Sequence, residues 1–141
     1  MRGIGAGEAV GGKEIDSMKF ARWVFTVAGV YGLLALGPMY FLERRVGIDQ
    51  PPAVTHPEFY YGFVGVGLAW QVLLLIVARD PVRFRPVMVA AVLEKVSFAG
   101  AVPVLYGLGR VSGAALGLSM VDAVWGVLFV VAYVRTAREV A

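Results

Sequence analysis

The twenty residues WVFTVAGVYGLLALGPMYFL, Trp23 to Leu42, carry no charged side chain. An α-helix rises about 1.5 Å per residue and needs roughly 20 apolar residues to cross the hydrocarbon core of a bilayer. The stretch therefore reads as a membrane span. Lys19 and Arg22 ahead of it, with Ala35 and Gly37 near its end, also fit the outline of a signal peptide and its cleavage site. Pro38 and a continuing apolar run argue against cleavage.

Three further stretches of the same length follow. Phe59 to Ala78 is free of charge, and Thr55-His56-Pro57-Glu58 precedes it. Thr55 and Glu58 have capping-box spacing and Pro57 suits a first helical turn, so a helix start is expected there. Val87 to Tyr106 is interrupted by Glu94 and Lys95, and Gly113 to Val134 contains the single acid Asp122. The prolines and charges of Arg79 to Pro86, and the short Gly107-Leu108-Gly109-Arg110, read as turns. The expected fold is all-α, an integral membrane up-down-up-down four-helix bundle. Residues 1–17, in which five glycines alternate with Glu8, Lys13, Glu14 and Asp16, read as a flexible cytoplasmic tail ahead of a membrane domain over 18–141.

Composition agrees. Of 141 residues, 59% are hydrophobic and 16% charged, more apolar surface than a soluble domain of this size can bury. Cysteine is absent, which excludes a disulfide framework, a thiolate nucleophile and sulfur-built zinc or iron–sulfur sites. The formal charge of +3 does not mark a nucleic-acid partner, because the basic residues flank apolar stretches instead of forming one face. Arg2, Lys13, Lys19, Arg22, Arg79, Arg83, Arg85, Arg135 and Arg138 fall on one side of a four-span chain, against Arg44, Arg45 and Arg110 on the other. The positive-inside rule then places both termini in the cytoplasm. Glu94 and Lys95 each oppose insertion of the third span by roughly 2.5–3.5 kcal/mol, and polar partners on neighbouring helices offset that.

Packing is expected at small residues, where membrane helices approach closely: Gly29 and Gly32, Gly62 and Gly65, Ala90 and Ala91, and Gly113-x-x-x-Gly117. Trp23, Tyr40, Phe41, Tyr60, Tyr61, Tyr106 and Tyr133 lie near span ends and read as interfacial belt residues.

Function turns on polar groups inside the membrane, which are costly and hence site candidates. These are Gln71, Glu94, Lys95 and Asp122. Gln71 and Glu94 fall roughly 10 Å from the cytoplasmic end and Asp122 about 18 Å, a gap the lysine stem bridges. Lys95 with Asp122 is the expected pair, because consecutive helix positions such as Glu94 and Lys95 point about 100° apart. Asp122 shares its face with Ala115, Ser119 and Gly126. The group reads either as a polar knot that fixes helix register or as a site for a proton, ion, quinone or lipid-like ligand. Transport ranks below binding, since the outer half offers few polar side chains for a water path.

Arg79, Arg83 and Arg85 are candidates for anionic lipid headgroups, each contributing about 1 kcal/mol near the surface. The lone His56, with Glu43, Asp49 and Glu58 near it in sequence, reads as structural in preference to a metal ligand, and one histidine does not supply the paired axial ligands of a bundle haem. No phosphate loop, nucleophile elbow, triad or zinc helix is present, so no catalytic residue, cofactor or metal is assigned.

Arg22-Trp23-Val24-Phe25, Pro38-Met39-Tyr40-Phe41, His56-Pro57-Glu58-Phe59-Tyr60-Tyr61-Gly62-Phe63, Arg79-Asp80-Pro81-Val82-Arg83 and Leu93-Glu94-Lys95 resemble a group of small uncharacterised bacterial four-span membrane proteins. The resemblance covers nearly the whole chain after the tail and implies a bacterial inner membrane, with no activity to carry over. In size and span count the chain is also similar to DoxX-like and sterol-isomerase or sterol-binding four-span proteins, at the level of fold. Two roles follow as expectations. One is an accessory or scaffold subunit packing against a larger membrane complex or copies of itself, amid membrane lipids. The other is a self-contained binder, or isomerase-like enzyme, for a lipophilic ligand.

Overall fold

A computed structural model describes residues 4–137. Among them lie five α-helices and no strand: α1 (Ile4–Leu36), α2 (Glu43–Asp49), α3 (Pro57–Arg79), α4 (Arg85–Gly107) and α5 (Gly113–Ala137), with a 3-10 turn over Gly37–Phe41. Four segments are long and apolar enough to cross a membrane: Ile15–Phe41, Pro57–Arg79, Arg85–Gly107 and Gly113–Thr136. Along their most apolar stretches only 17–28% of residues are buried within the chain. Most of the valine and leucine surface thus points outward, the pattern of a small multi-pass membrane protein whose solvent is lipid.

Helix ends have local causes. Pro38 sits in the first positions of the 3-10 turn that ends α1, where its missing N–H costs nothing. Pro57 and Pro86 occupy the first turns of α3 and α4 in the same way. The α4–α5 turn passes through Gly109 at φ 68°, a left-handed conformation that an L side chain rarely adopts.

In its helix boundaries the structure departs from sequence expectation in three places. Residues 4–17, expected as a tail, are continuous with α1, and the first three residues, Arg2 included, lie outside the described ones, as does Arg138. The capping box at Thr55 and Glu58 does not form: His56 is the residue that caps α3, without a side-chain hydrogen bond, and Glu58 turns back to His56 Nδ1 at 3.3 Å. The segment after the first span contains α2, a two-turn helix held by Arg45 and Asp49 at 2.7 Å. Its seven residues are too few to show an apolar period, the signal by which longer helices are read.

Helix contacts concentrate at three seams, α1 with α3, α4 with α5, and α1 with α5, whereas α3 and α4 touch sparingly although a short turn joins them. The α1–α3 seam is lined by glycine. A Cβ on Gly29 would stand 2.8 Å from Leu75, one on Gly67 2.8 Å from Leu36, one on Gly65 3.0 Å from the Tyr40 hydroxyl, and one on Gly32 would collide with the Gln71 side chain. The expected small-residue approach is therefore real at Gly29, Gly32 and Gly65. Gly62, Gly113 and Gly117 differ, since nothing stands within 4 Å of where their Cβ would be.

One apolar core joins the seams: Ala21, Val24, Phe25 and Ala28 of α1 meet Leu74, Val77, Met88, Ala91, Phe129 and Ala132. Phe25 stacks on Phe129 with ring centroids 4.6 Å apart. At the same end Arg85 lies 3.8 Å over the Tyr133 ring and Arg135 lies 4.5 Å over Phe20, tying α4 to α5 and α5 to α1 by cation–π contact.

Gly32→Leu is expected to destabilise the protein by about 2 kcal/mol or more, since overpacking in a tight seam forces side chains and backbone apart. Gly117→Leu should leave stability within about 0.5 kcal/mol, as at surface positions generally. Denaturant titration in mixed micelles, followed by circular dichroism, checks both.

Candidate functional site

The intramembrane polar residues fall into two groups. Gln71 lies in the α1–α3 seam, 5% exposed, with its side chain over Gly32 and its amide nitrogen donating to the Gly67 carbonyl at 3.2 Å. The charged residues belong to a different seam. The part Gln71 plays is local: it satisfies its own amide and fills the space that Gly32 leaves.

Glu94, Lys95 and Asp122 come together at the α4–α5 seam. The Lys95 ammonium sits 3.2 Å from Asp122 Oδ1, 3.4 Å from Asp122 Oδ2, and 3.0 Å from Glu94 Oε2. The expected Lys95–Asp122 pair is formed. Glu94 joins it as well, contrary to the expectation that neighbours along a helix cannot meet. Consecutive Cβ atoms do diverge by about 100°, but the four-carbon lysine stem is long enough for its tip to reach back across that angle.

Local sequence builds the space for this contact. Gly126, one turn beyond Asp122, lies under the lysine stem, so that a Cβ there would stand 3.3 Å from Lys95 Cβ. Ser119, fully buried, turns its hydroxyl onto the Leu116 carbonyl at 2.8 Å and so adds no polar demand to the seam. The Lys95 side chain is 10% exposed, Asp122 20% and Glu94 37%. Buried depth thus falls from the cation to its outer acid.

Counted as ionised, two carboxylates surround one ammonium, and the cluster carries a surplus of one negative charge. Among the described residues, two buried side-chain polar atoms make no hydrogen bond, and one of them is Glu94 Oε2, which lies near Lys95 but off the hydrogen-bond direction. The other is the Trp70 indole nitrogen. Such an arrangement can hold a cation or a hydrogen-bond donor at Glu94, or serve only to lock α4 against α5.

The other sequence candidates are held elsewhere. Arg85 is committed to Tyr133, both through its ring and by donation to its carbonyl at 3.4 Å. Arg79 and Arg83 remain exposed at the α3–α4 turn, where Asp80 accepts from the Arg83 backbone N–H at 3.1 Å. His56 faces Glu58, while Glu43 accepts from the Tyr61 hydroxyl at 2.8 Å and Asp49 pairs with Arg45. Among the described residues no three His, Cys, Asp or Glu side chains converge.

The aromatic belt near the α3 start does more than face headgroups. Tyr60 donates to the Met39 carbonyl at 2.7 Å, Tyr61 holds Glu43, and Tyr40 stacks on Tyr61 at 5.7 Å, so the α2 segment is clamped to α3. Beside it, Glu43, Arg44, Gly47, Ile48, Ala53 and Val54 line a cavity of about 330 Å³. Residue pattern alone does not reveal this feature, because its lining comes from a short helix and a loop without periodic signal.

Lys95→Met should cost about 3–5 kcal/mol, because it strands two carboxylates in a low-dielectric seam. Adding Asp122→Leu to it is expected to restore part of that loss, since removing both members of a buried pair is cheaper than removing one. The same micelle unfolding measurement on the single and double variants decides this. No family model, no curated protein and no solved structure matches this chain.

Proposed function

We propose that the protein is an accessory or scaffold subunit of the bacterial inner membrane, inserted up-down-up-down with both termini cytoplasmic, that packs against a larger membrane complex or copies of itself. The observation that carries this reading is the unused packing surface. Gly113 and Gly117 form a small-x-x-x-small pair with open space above both, although their chain has close-packed glycines elsewhere. Small residues that let backbones approach offset their cost in helix stability only where another helix comes near. The contact pattern adds support, because among the described residues α4 has only α5 as an extensive neighbour and leaves most of its circumference outward. The nine-to-three division of basic residues supports the orientation.

A second reading, a binder or isomerase-like enzyme for a lipophilic ligand around Glu94, Lys95 and Asp122, draws on the surplus acid of that cluster. Asp122→Asn separates the two: a ligand site loses its ligand with the fold intact, whereas a packing role shows as lost stability. The primary test is native mass spectrometry of the tagged protein released from its own membrane with surrounding lipid. Reproducible co-isolation with larger subunits or as a defined homo-oligomer, lost in Gly117→Leu without loss of monomer stability, is the expected outcome. A lone protein carrying one stoichiometric small molecule favours the binder instead.

A further inference from the structure

We infer that the outward face of α4 around Glu94 is a docking surface for one membrane helix of another protein, a helix that presents a basic side chain at the depth of Glu94. The inference rests on the accessory reading and names its partner's chemistry. Its first support is charge. Within the seam, Lys95 is shared between two carboxylates, with Asp122 reaching across from α5 and Glu94 on the outer side of the cluster, its side chain 37% exposed. A carboxylate accepts several hydrogen bonds, and Glu94 accepts one from Lys95 at 3.3 Å through Oε1. Its surplus charge stands at the edge of a helix face that meets hydrocarbon, where an unmatched acid costs several kcal/mol. Glu94 Oε2 makes no hydrogen bond and is buried beside Lys95, so a donor from outside would meet it as the soft terminal torsion of the side chain turns.

The second support is shape. Ala90, Glu94, Ser97 and Ala101 recur at three- and four-residue steps and so lie along one stripe of α4. Ser97 and Ala101 are exposed, and the Ser97 hydroxyl is turned inward onto the Glu94 carbonyl at 2.8 Å. Either side of the acid the stripe therefore offers a shallow channel of small side chains in which a second backbone can approach. Leu93 and Val104, 64% and 63% exposed and three residues from Ala90 and Ala101, stand together on one side of it and add apolar surface for the visitor.

The same features choose among occupants. A lipid tail matches the apolar flanks but leaves the acid unanswered. A second copy brings its own Glu94 with the same surplus charge, and its Lys95 is already held between two acids. Among the described residues this chain has no other basic side chain in the middle of a span. A foreign helix with lysine or arginine at that depth supplies the missing charge, and the cluster would then hold two cations and two acids.

The test uses the full-length protein in phosphatidylcholine vesicles with fluorescently labelled model helices about 20 residues long: one with a lysine at the matching depth, one with leucine in its place. Energy transfer should show the lysine helix associating about tenfold more tightly, the equivalent of about 1.4 kcal/mol. Glu94→Gln should reduce it to the level of the leucine helix. Ser97→Leu, which leaves the charge cluster intact and blocks the channel, should do the same. Equal association of the two helices, or undiminished lysine preference in Glu94→Gln, overturns the proposal. Transfer between two labelled copies of the protein that Ser97→Leu abolishes overturns it too, because the face then belongs to a second copy. The assay needs no native partner, so a negative result removes this surface alone, whereas a lone protein from the native membrane, with neither co-isolated subunits nor a defined homo-oligomer, removes the accessory reading.

Discussion

A helix in hydrocarbon gains little by turning its leucines away from lipid, so the fold of this protein rests on the few places where backbones come close or polar groups require a partner. Lys95 is the sharpest case. Its ammonium is almost wholly removed from the protein surface and is held by Asp122 across the α4–α5 seam and by Glu94 on its own helix. Removing α5 would leave that cation with one acid and an open side, so the pairing of these two helices is tied to the satisfaction of one charge.

The other seams use different physics. Between α1 and α3 the glycines at 29, 32, 65 and 67 bring the backbones together, and Gln71 fills the gap at Gly32 while bonding back to its own helix. Between α1 and α5 the stacked rings of Phe25 and Phe129 supply area, and Arg135 over Phe20 closes the end. The shared apolar core couples them, since Phe25, Leu74, Ala91 and Phe129 belong to one cluster. The sparing contact of α3 with α4 leaves α4 dependent on α5, and through α5 on α1. The charged cluster and the open outward face occur on that same helix.

Several features were legible in residues alone because they depend on local chemistry. Spans follow from length and absence of charge, Pro57 marks a helix start through the missing N–H, and the Lys95–Asp122 pair follows from depth and stem length. Others were not. The Thr55–Glu58 spacing satisfies a capping motif, yet the chain starts its helix one residue later than that motif requires. Glu94 stands apart from Lys95 by the angle between their Cβ atoms, and flexible stem atoms override the angle. Gly113 and Gly117 have the same spacing as used glycines elsewhere, but spacing says only that an approach is permitted.

What the sequence determined by itself is the all-helical character of the chain, with four helices long and apolar enough to cross a membrane, and the position of each polar group along its helix, because helix rise and transfer cost are properties of a single segment. Which helices share a seam was decided only by tertiary structure. So was the separation of Gln71 from Glu94, Lys95 and Asp122, although depth places all four within reach of one another. Rotation of each helix about its axis sets those partners, and that rotation is chosen by packing between segments far apart in the chain, where no local pattern of residues records it.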